Sequence, residues 1–143
     1  TAISYEGKQV SLKDYRGQNV LLFFNEGLMC YPACWNQIVA FGKDTTFKQK
    51  NTVVLNITVD SKEEWKKAID KMPELSGNTV ILDPDRTVAN LYGVLSLNSS
   101  MHRGQFPGHT YILIDKDGIV RFTKDDDQMA VRNNELITEI NKL

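Results

Sequence analysis

The two cysteines of the chain stand four apart in Cys30-Tyr31-Pro32-Ala33-Cys34, a short loop beyond the apolar run Val20-Leu21-Leu22-Phe23-Phe24. That arrangement suits thiol redox chemistry. The thiolate is the attacking species. A cysteine at the start of a helix meets unpaired backbone N–H groups and the positive end of the helix dipole, and both favour ionisation. Residues four apart share one face of a helix, so the two Cα atoms would lie about 6 Å from each other, within disulfide range. Pro32 fits a first helical turn, where its missing N–H would have had no partner. Cys30 reads as the more exposed nucleophile and Cys34, one turn deeper, as the resolving thiol. The plainer alternative is two unrelated buried cysteines serving as small hydrophobes. Spacing, proline and strand-end position together weigh against it.

Few other residues offer chemistry. His109, just ahead of the apolar run Thr110 to Ile114, would relay a proton or pair with the thiolate if it approaches Cys30, and is otherwise an ordinary loop histidine. His102 reads as a solvated loop residue. Glu26, beside Asn25 in the approach loop, is either a proton carrier during exchange or a surface charge. Trp35 follows Cys34 at core spacing and is expected to pack under the pair. Asp83-Pro84-Asp85 reads as helix-cap and turn chemistry, and Asp125-Asp126-Asp127 as a solvated acidic turn. Neither has the spaced oxygens and distal Glu of an EF-hand loop. No phosphate-cradling Gly-rich loop or dinucleotide fingerprint follows a strand.

The elements that must position these groups alternate between strand and helix. Val20 to Phe24 suits a strand buried on both faces. Cys34 to Gln49 carries Trp35, Ile38, Val39, Phe41 and Phe47 at helical spacing, with Gly42 as a weak point. Thr52 to Val59 is β-branched and apolar, a second central strand. Ser61 and Glu64 form a capping box that opens a helix through Met72, which Pro73 stops. Thr79 to Leu82 is a short strand, followed by a short helix from Thr87 to Tyr92 that ends at Gly93. Thr110 to Ile114 and Ile119 to Thr123 flank the Lys116-Asp117-Gly118 turn of a hairpin. A last helix runs from about Asn133 to Leu143. Val10 and Leu12 suggest a small early strand, and Asn98 to Gly108 a polar loop. The order predicts an α/β fold, a mixed central sheet flanked by helices, in a single domain over residues 1–143.

Composition narrows the function classes. With 143 residues, 41% apolar, 24% charged and a formal charge of -1, the chain suits one well-cored domain. It has no basic stripe, so no nucleic-acid partner is expected. Lys62, Lys66 and Lys67, interleaved with Glu63, Glu64 and Asp70, form a solvated helix face. No stretch approaches the ~20 apolar residues of a membrane span, so no membrane insertion by this chain is expected. The chain opens on Thr1 without a signal-peptide pattern. An excised or processed segment, with a signal or anchor lost, is the expectation.

The segments VSLKDYRGQNVLLFF ahead of the cysteines, then DPDRTVANLYGV and GHTYILIDKDGIVRF, resemble the thioredoxin-fold redoxin superfamily. Within it they are most similar to the peroxiredoxin-like alkyl-hydroperoxide-reductase/thiol-specific-antioxidant proteins, over roughly Lys8 to Thr123. The resemblance implies a thioredoxin-like fold with the active cysteine at the start of the first long helix, antioxidant activity and no required cofactor. Two positions depart from it. The family has Thr or Ser three residues before its peroxidatic cysteine, where Gly27 precedes Cys30 and Tyr31 precedes Cys34. It also has an arginine where His109 stands. Peroxide cleavage needs donors aimed at the oxygens, and Arg103 is the substitute at hand. Thioredoxin-type and cytochrome-maturation relatives carry a Cys-x-x-Cys pair, one residue shorter, and a cis-proline at the His109 position; Pro107 comes two residues early.

Cys-x3-Cys with a later histidine also resembles the copper-delivering Sco-type proteins of the same fold. In that reading Cys30, Cys34 and His109 are copper ligands, with Met29 or Met101 as weak extras. The histidine of that family lies nearer Pro107, and its proline follows the first cysteine directly. The leading expectation is a thiol-disulfide oxidoreductase that cycles a Cys30–Cys34 dithiol and disulfide. Its partner would be a thiol- or disulfide-bearing protein, a small-molecule thiol or a peroxide. The copper and cytochrome-maturation resemblances imply an extracytoplasmic location, periplasmic or at the cell surface.

Overall fold

A computed structural model, which describes residues 1–143, builds one seven-stranded sheet. Its strands are β1 (Ala2–Ser4), β2 (Gln9–Val10), β3 (Asn19–Phe24), β4 (Thr52–Thr58), β5 (Val80–Leu82), β6 (Thr110–Ile114) and β7 (Val120–Asp125). In space they run β2-β1-β5-β4-β3-β6-β7. The helices are α1 (Ala33–Lys43), α2 (Thr46–Gln49), α3 (Lys62–Lys71), α4 (Thr87–Tyr92) and α5 (Asn133–Ile140).

The uninterrupted apolar run of β3 is explained by its central place. It pairs in parallel with β4 and antiparallel with β6, so both its faces need cover. Alternate residues point to opposite sides. Leu21 and Phe23 enter a core with Trp35, Ile38, Phe41, Trp65 and Leu136. Val20, Leu22 and Phe24 enter a second core with Ala89, Val94 and Leu95.

Helix signals act where the sequence places them. At the start of α3, Ser61 Oγ accepts from the Glu64 N–H at 3.1 Å while Glu64 Oε1 accepts from the Ser61 N–H at 2.8 Å, the reciprocal capping box. The Asp83 carboxylate takes the Val88 and Ala89 N–H groups at 3.0 and 2.8 Å, and Asp85 takes that of Thr87. Gly93, at φ +67, closes α4.

Three element expectations are corrected. The helix foreseen over Cys34 to Gln49 breaks into α1 and α2, because Asp44 leaves the helix and its Oδ1 caps Thr46 at 3.0 Å. Gly42 sits inside α1, where a Cβ would run into the Asn78 side chain. Leu12 lies in a short 3-10 turn, Leu12–Tyr15, rather than a strand. Strand β1 escaped the periodicity reading because three residues are too few to show it; it lies between β2 and β5 and pairs antiparallel with β5 through Ile3 and Leu82. The last helix ends at Ile140. No helix is long and apolar enough to cross a membrane.

This topology decides where chemistry can occur. The parallel strands β3 and β4 end on the same edge of the sheet, and β6, antiparallel to β3, begins there. Cys30 after β3, Asp60 after β4 and His109 before β6 are thereby brought to one end, where clefts form in α/β sheets.

Candidate active site

Beyond Phe24 the chain passes Asn25 and Glu26, makes a 3-10 turn over Gly27–Met29, and reaches Cys30; α1 starts at Ala33. Cys30 and Cys34 are joined by a disulfide, with their Cα atoms 5.4 Å apart. They do not share a helix face, as four-residue spacing suggested. Cys34 lies in the first turn of α1, whereas Cys30 precedes the helix and its carbonyl accepts the Cys34 N–H at 3.1 Å. The Tyr31–Pro32 peptide is cis. Cys30 is 8% exposed and Cys34 fully buried. Met29 and Tyr31, the chain neighbours of Cys30, are exposed. The Lys71 ammonium sits 4.4 Å from the centre of the Tyr31 ring.

Buried polar groups hold the approach loop. Asn25 Oδ1 accepts the Gly27 N–H at 2.8 Å, and Trp35 Nε1 donates to the Gly27 carbonyl at 2.8 Å. Trp35 shares a buried core with Cys30 and Cys34 and also ties the loop. The Asp60 carboxylate accepts the Leu28 N–H at 2.7 Å and the Thr58 hydroxyl at 2.8 Å. Burial pushes the Asp60 carboxyl up to about 6, against the lowering effect of those two hydrogen bonds. Glu26 is not a surface charge. It is buried, its Oε1 takes the Met101 N–H at 2.9 Å, and its Oε2 stands 3.5 Å from His102 Nδ1. His102 is half-exposed but tethered rather than free.

His109 is fully buried and faces the deeper sulfur: its Nδ1 lies 3.7 Å from Cys34 Sγ. The expected approach to Cys30 is thus redirected to its partner. The other ring nitrogen, Nε2, is 2.7 Å from the Tyr111 hydroxyl, which donates to Gln37 Oε1 at 2.8 Å. Burial holds the imidazole pKa down at about 4, and the nearby Asp126 carboxylate opposes this only partly. Burial likewise raises the Tyr111 phenol well above its usual value, so it stays protonated.

The acidic turn is also corrected. Asp126 is buried, accepting from Arg132 Nε at 2.7 Å and Nη2 at 3.0 Å and from the N–H groups of Gln128 and Ala130. Burial alone would raise its carboxyl, but these donors outweigh burial and bring it to about 2. Asp125 receives the Ser99 hydroxyl and the Thr110 hydroxyl. Gln37, Tyr111, Asp60 and Arg132 went unforeseen. Asp60 had one available signal, its place just past a strand parallel to the one that delivers the cysteines. Arg103, the foreseen substitute for the missing arginine, is exposed.

In this disulfide form, no three His, Cys, Asp or Glu side chains converge so as to hold a metal ion. The profile of the AhpC/TSA family matches residues 1–123. Peroxiredoxin Bcp of Escherichia coli K12 is 32% identical over 129 residues, covering 85% of this chain and 77% of that protein. A putative peroxiredoxin bcp of Haemophilus influenzae is 32% identical over 124 residues, covering 86% and 71%. Among solved structures, the bacterioferritin comigratory protein of Xanthomonas campestris superposes with a TM-score of 0.81 at 15% identity, covering 99% of this chain and 89% of that one. Enterococcus faecalis AhpC gives 0.82 at 18% identity, covering 99% and 86%. These two superpositions speak to the fold.

Proposed function

Because the chain belongs to the AhpC/TSA family, a family of thiol-dependent oxidoreductases that need no cofactor, we propose that its catalytic cycle runs through the Cys30–Cys34 pair. The observation that carries this reading is a bonded pair in which Cys30 keeps a small exposure and Cys34 has none. The Cys30 thiolate attacks the oxidant. With a hydroperoxide, the O–O bond breaks, one oxygen stays on Cys30 as a sulfenic acid, and the other leaves as water or an alcohol. Cys34 Sγ then attacks Cys30 Sγ, the S–S bond forms, and hydroxide departs as water. An external thiol restores the dithiol through a mixed disulfide on Cys30. The Xanthomonas protein is described by its alkyl peroxide reduction activity, which makes alkyl hydroperoxides the first substrates to try.

Three observations favour a disulfide, rather than a peroxide, as the better oxidant. Gly27 stands where a hydroxyl would face the peroxide, Arg103 is exposed, and His109 addresses Cys34. The side-chain donors that the family aims at a departing oxygen anion are therefore absent from their family positions. A protein disulfide or small-molecule disulfide places no such demand on the site. An oxidising, extracytoplasmic compartment would keep the pair bonded between turnovers, and that setting belongs to the proposal. The copper alternative gains no support from the family or from the arrangement of side chains.

Single-turnover oxidation of the reduced protein tests the reading. Loss of two thiols is expected with either oxidant, faster with the disulfide. Cys30→Ser should abolish it, and Cys34→Ser should stop at a one-to-one adduct. Turnover surviving in Cys30→Ser would overturn the assignment.

A further inference from the structure

Cys34 has no access to water, so neither hydroxide nor buffer can collect its proton when it must attack. The polar atom set against its sulfur is His109 Nδ1, and the state of that nitrogen can be read from the network behind it. At one end, the Ala40 carbonyl can only accept, so Asn133 presents Nδ2 to it at 3.2 Å and turns Oδ1 toward Gln37 Nε2 at 2.7 Å. At the other end, the Arg132 backbone N–H can only donate, so it faces Gln37 Oε1 at 2.7 Å. The orientation of the Gln37 amide is thus set by two backbone groups.

The Tyr111 hydroxyl, 2.8 Å from that same Gln37 oxygen, must donate to it. Its own oxygen is then the acceptor for His109 Nε2, 2.7 Å away. The Tyr111 oxygen thereby draws the hydrogen of the neutral imidazole to Nε2, with the Ala130 carbonyl competing for it, and Nδ1 then offers a lone pair to Cys34. The charges nearest the ring are engaged elsewhere: Asp126 pairs with Arg132, and Asp125 with the hydroxyls of Ser99 and Thr110.

From this geometry we infer that His109 is the base that takes the Cys34 proton in the resolving step, and that Tyr111 and Gln37 are positioning residues that fix its tautomer. The inference rests on the assignment of Cys34 as the resolving thiol. In the reduced protein the Cys34 S–H donates to Nδ1. As Cys34 Sγ attacks Cys30 Sγ, its proton passes to Nδ1 and the S–S bond forms. The group on Cys30 leaves with the electron pair of the broken bond, and the imidazolium returns its proton to the departing anion or to solvent. The step is the same whether hydroxide leaves a sulfenic acid or a thiolate leaves a mixed disulfide.

The experiment follows the reduced protein with the aromatic disulfide dithiobis(nitrobenzoate), which releases one coloured nitrothiobenzoate when Cys30 attacks and a second when Cys34 resolves. The two phases separate the two claims. A first phase absent from Cys30→Ser, and a Cys34→Ser variant that stops after one equivalent, establish the thiol roles; failure of either removes those roles. The second phase tests the base. In the parent it should vary by less than about threefold between pH 6 and 8, because the imidazole remains neutral there. In His109→Gln it should fall by about a hundredfold at pH 6 and climb about tenfold per pH unit toward the ordinary thiol pKa. Tyr111→Phe keeps the ring stacked on Phe23 and removes only the hydroxyl; it should slow the second phase by about tenfold at every pH from 6 to 8, because the tautomer ratio of a neutral ring does not change with pH. A second phase unchanged in Tyr111→Phe, or one that climbs about tenfold per pH unit, would overturn the inference even if His109→Gln fails to fold.

Discussion

The Asp60 carboxylate accepts the Leu28 backbone N–H at 2.7 Å, so the end of β4 holds the loop that presents Cys30. Gly27 lies between them at φ +61, and a Cβ there would overlap both the Asp60 carboxylate and the Thr58 hydroxyl. Gly27→Ala should therefore lower the unfolding free energy by about 2–3 kcal/mol, combining left-handed backbone strain with overpacking. Urea denaturation would show it as a shifted midpoint with unchanged slope, and an unmoved midpoint would mean that the loop is not clamped.

Asp60 and His109 should act on pH stability with opposite signs. The folded Asp60 loses its proton at about 6, the unfolded one near 3.9. Stability from this residue is thus lost as pH rises from 4 to 6, by about 3 kcal/mol. His109 gains its proton at about 4 when folded and at about 6.5 when unfolded, so its contribution falls by about 3 kcal/mol as pH drops from 6.5 to 4. Across that window the two nearly cancel. Asp60→Asn should uncover stability rising with pH, and His109→Gln stability falling with pH. Parallel profiles for both variants and the parent would contradict the burial argument.

Arg132→Ala removes the charged donor from a buried carboxylate and leaves Asp126 with backbone partners alone. A loss of about 2–3 kcal/mol is expected at neutral pH. Because the Asp126 carboxyl is held at about 2, the parent keeps this contribution above pH 4 and loses it as pH falls toward 2. The difference between parent and variant, measured by thermal unfolding, should shrink over the same interval.

Reduction should cost little stability. The disulfide closes a loop of only four residues' separation, for which loop-closure entropy amounts to about 2 kcal/mol. Urea unfolding with and without a phosphine reductant measures this directly. A reduced form unable to fold would be incompatible with a dithiol that must wait, intact, for its oxidant.

The parts of the fold that the sequence revealed are those specified by neighbours along the chain. The Ser61–Glu64 capping box, the Asp83 cap of α4 and the unbroken apolar runs of β3 and β4 all depend on residues within a few positions. The cysteine pair was legible for the same reason, although its helix begins only at Ala33.

What escaped was set by distance in sequence. Glu26 and Asp126 looked solvated because charged residues in turns usually are, and their burial depends on Met101 and on the folding-back of Arg132. Gln37 and Tyr111 read as helix and strand residues of no special kind. Their importance arises only where α1 crosses β6, a meeting of residues 74 positions apart. His109, expected near Cys30, lies against Cys34 instead, since only coordinates reveal which sulfur lies inward.

That inward turn gives the pair a polarity. In the proposed cycle oxidant and reductant both enter through Cys30, bordered by the exposed Met29 and Tyr31, while Cys34, His109, Tyr111 and Gln37 are buried behind it. That cycle would leave recognition and proton handling to separate sets of side chains. A lineage could acquire a new redox client by altering the outer rim alone, without disturbing the inner half of the cycle.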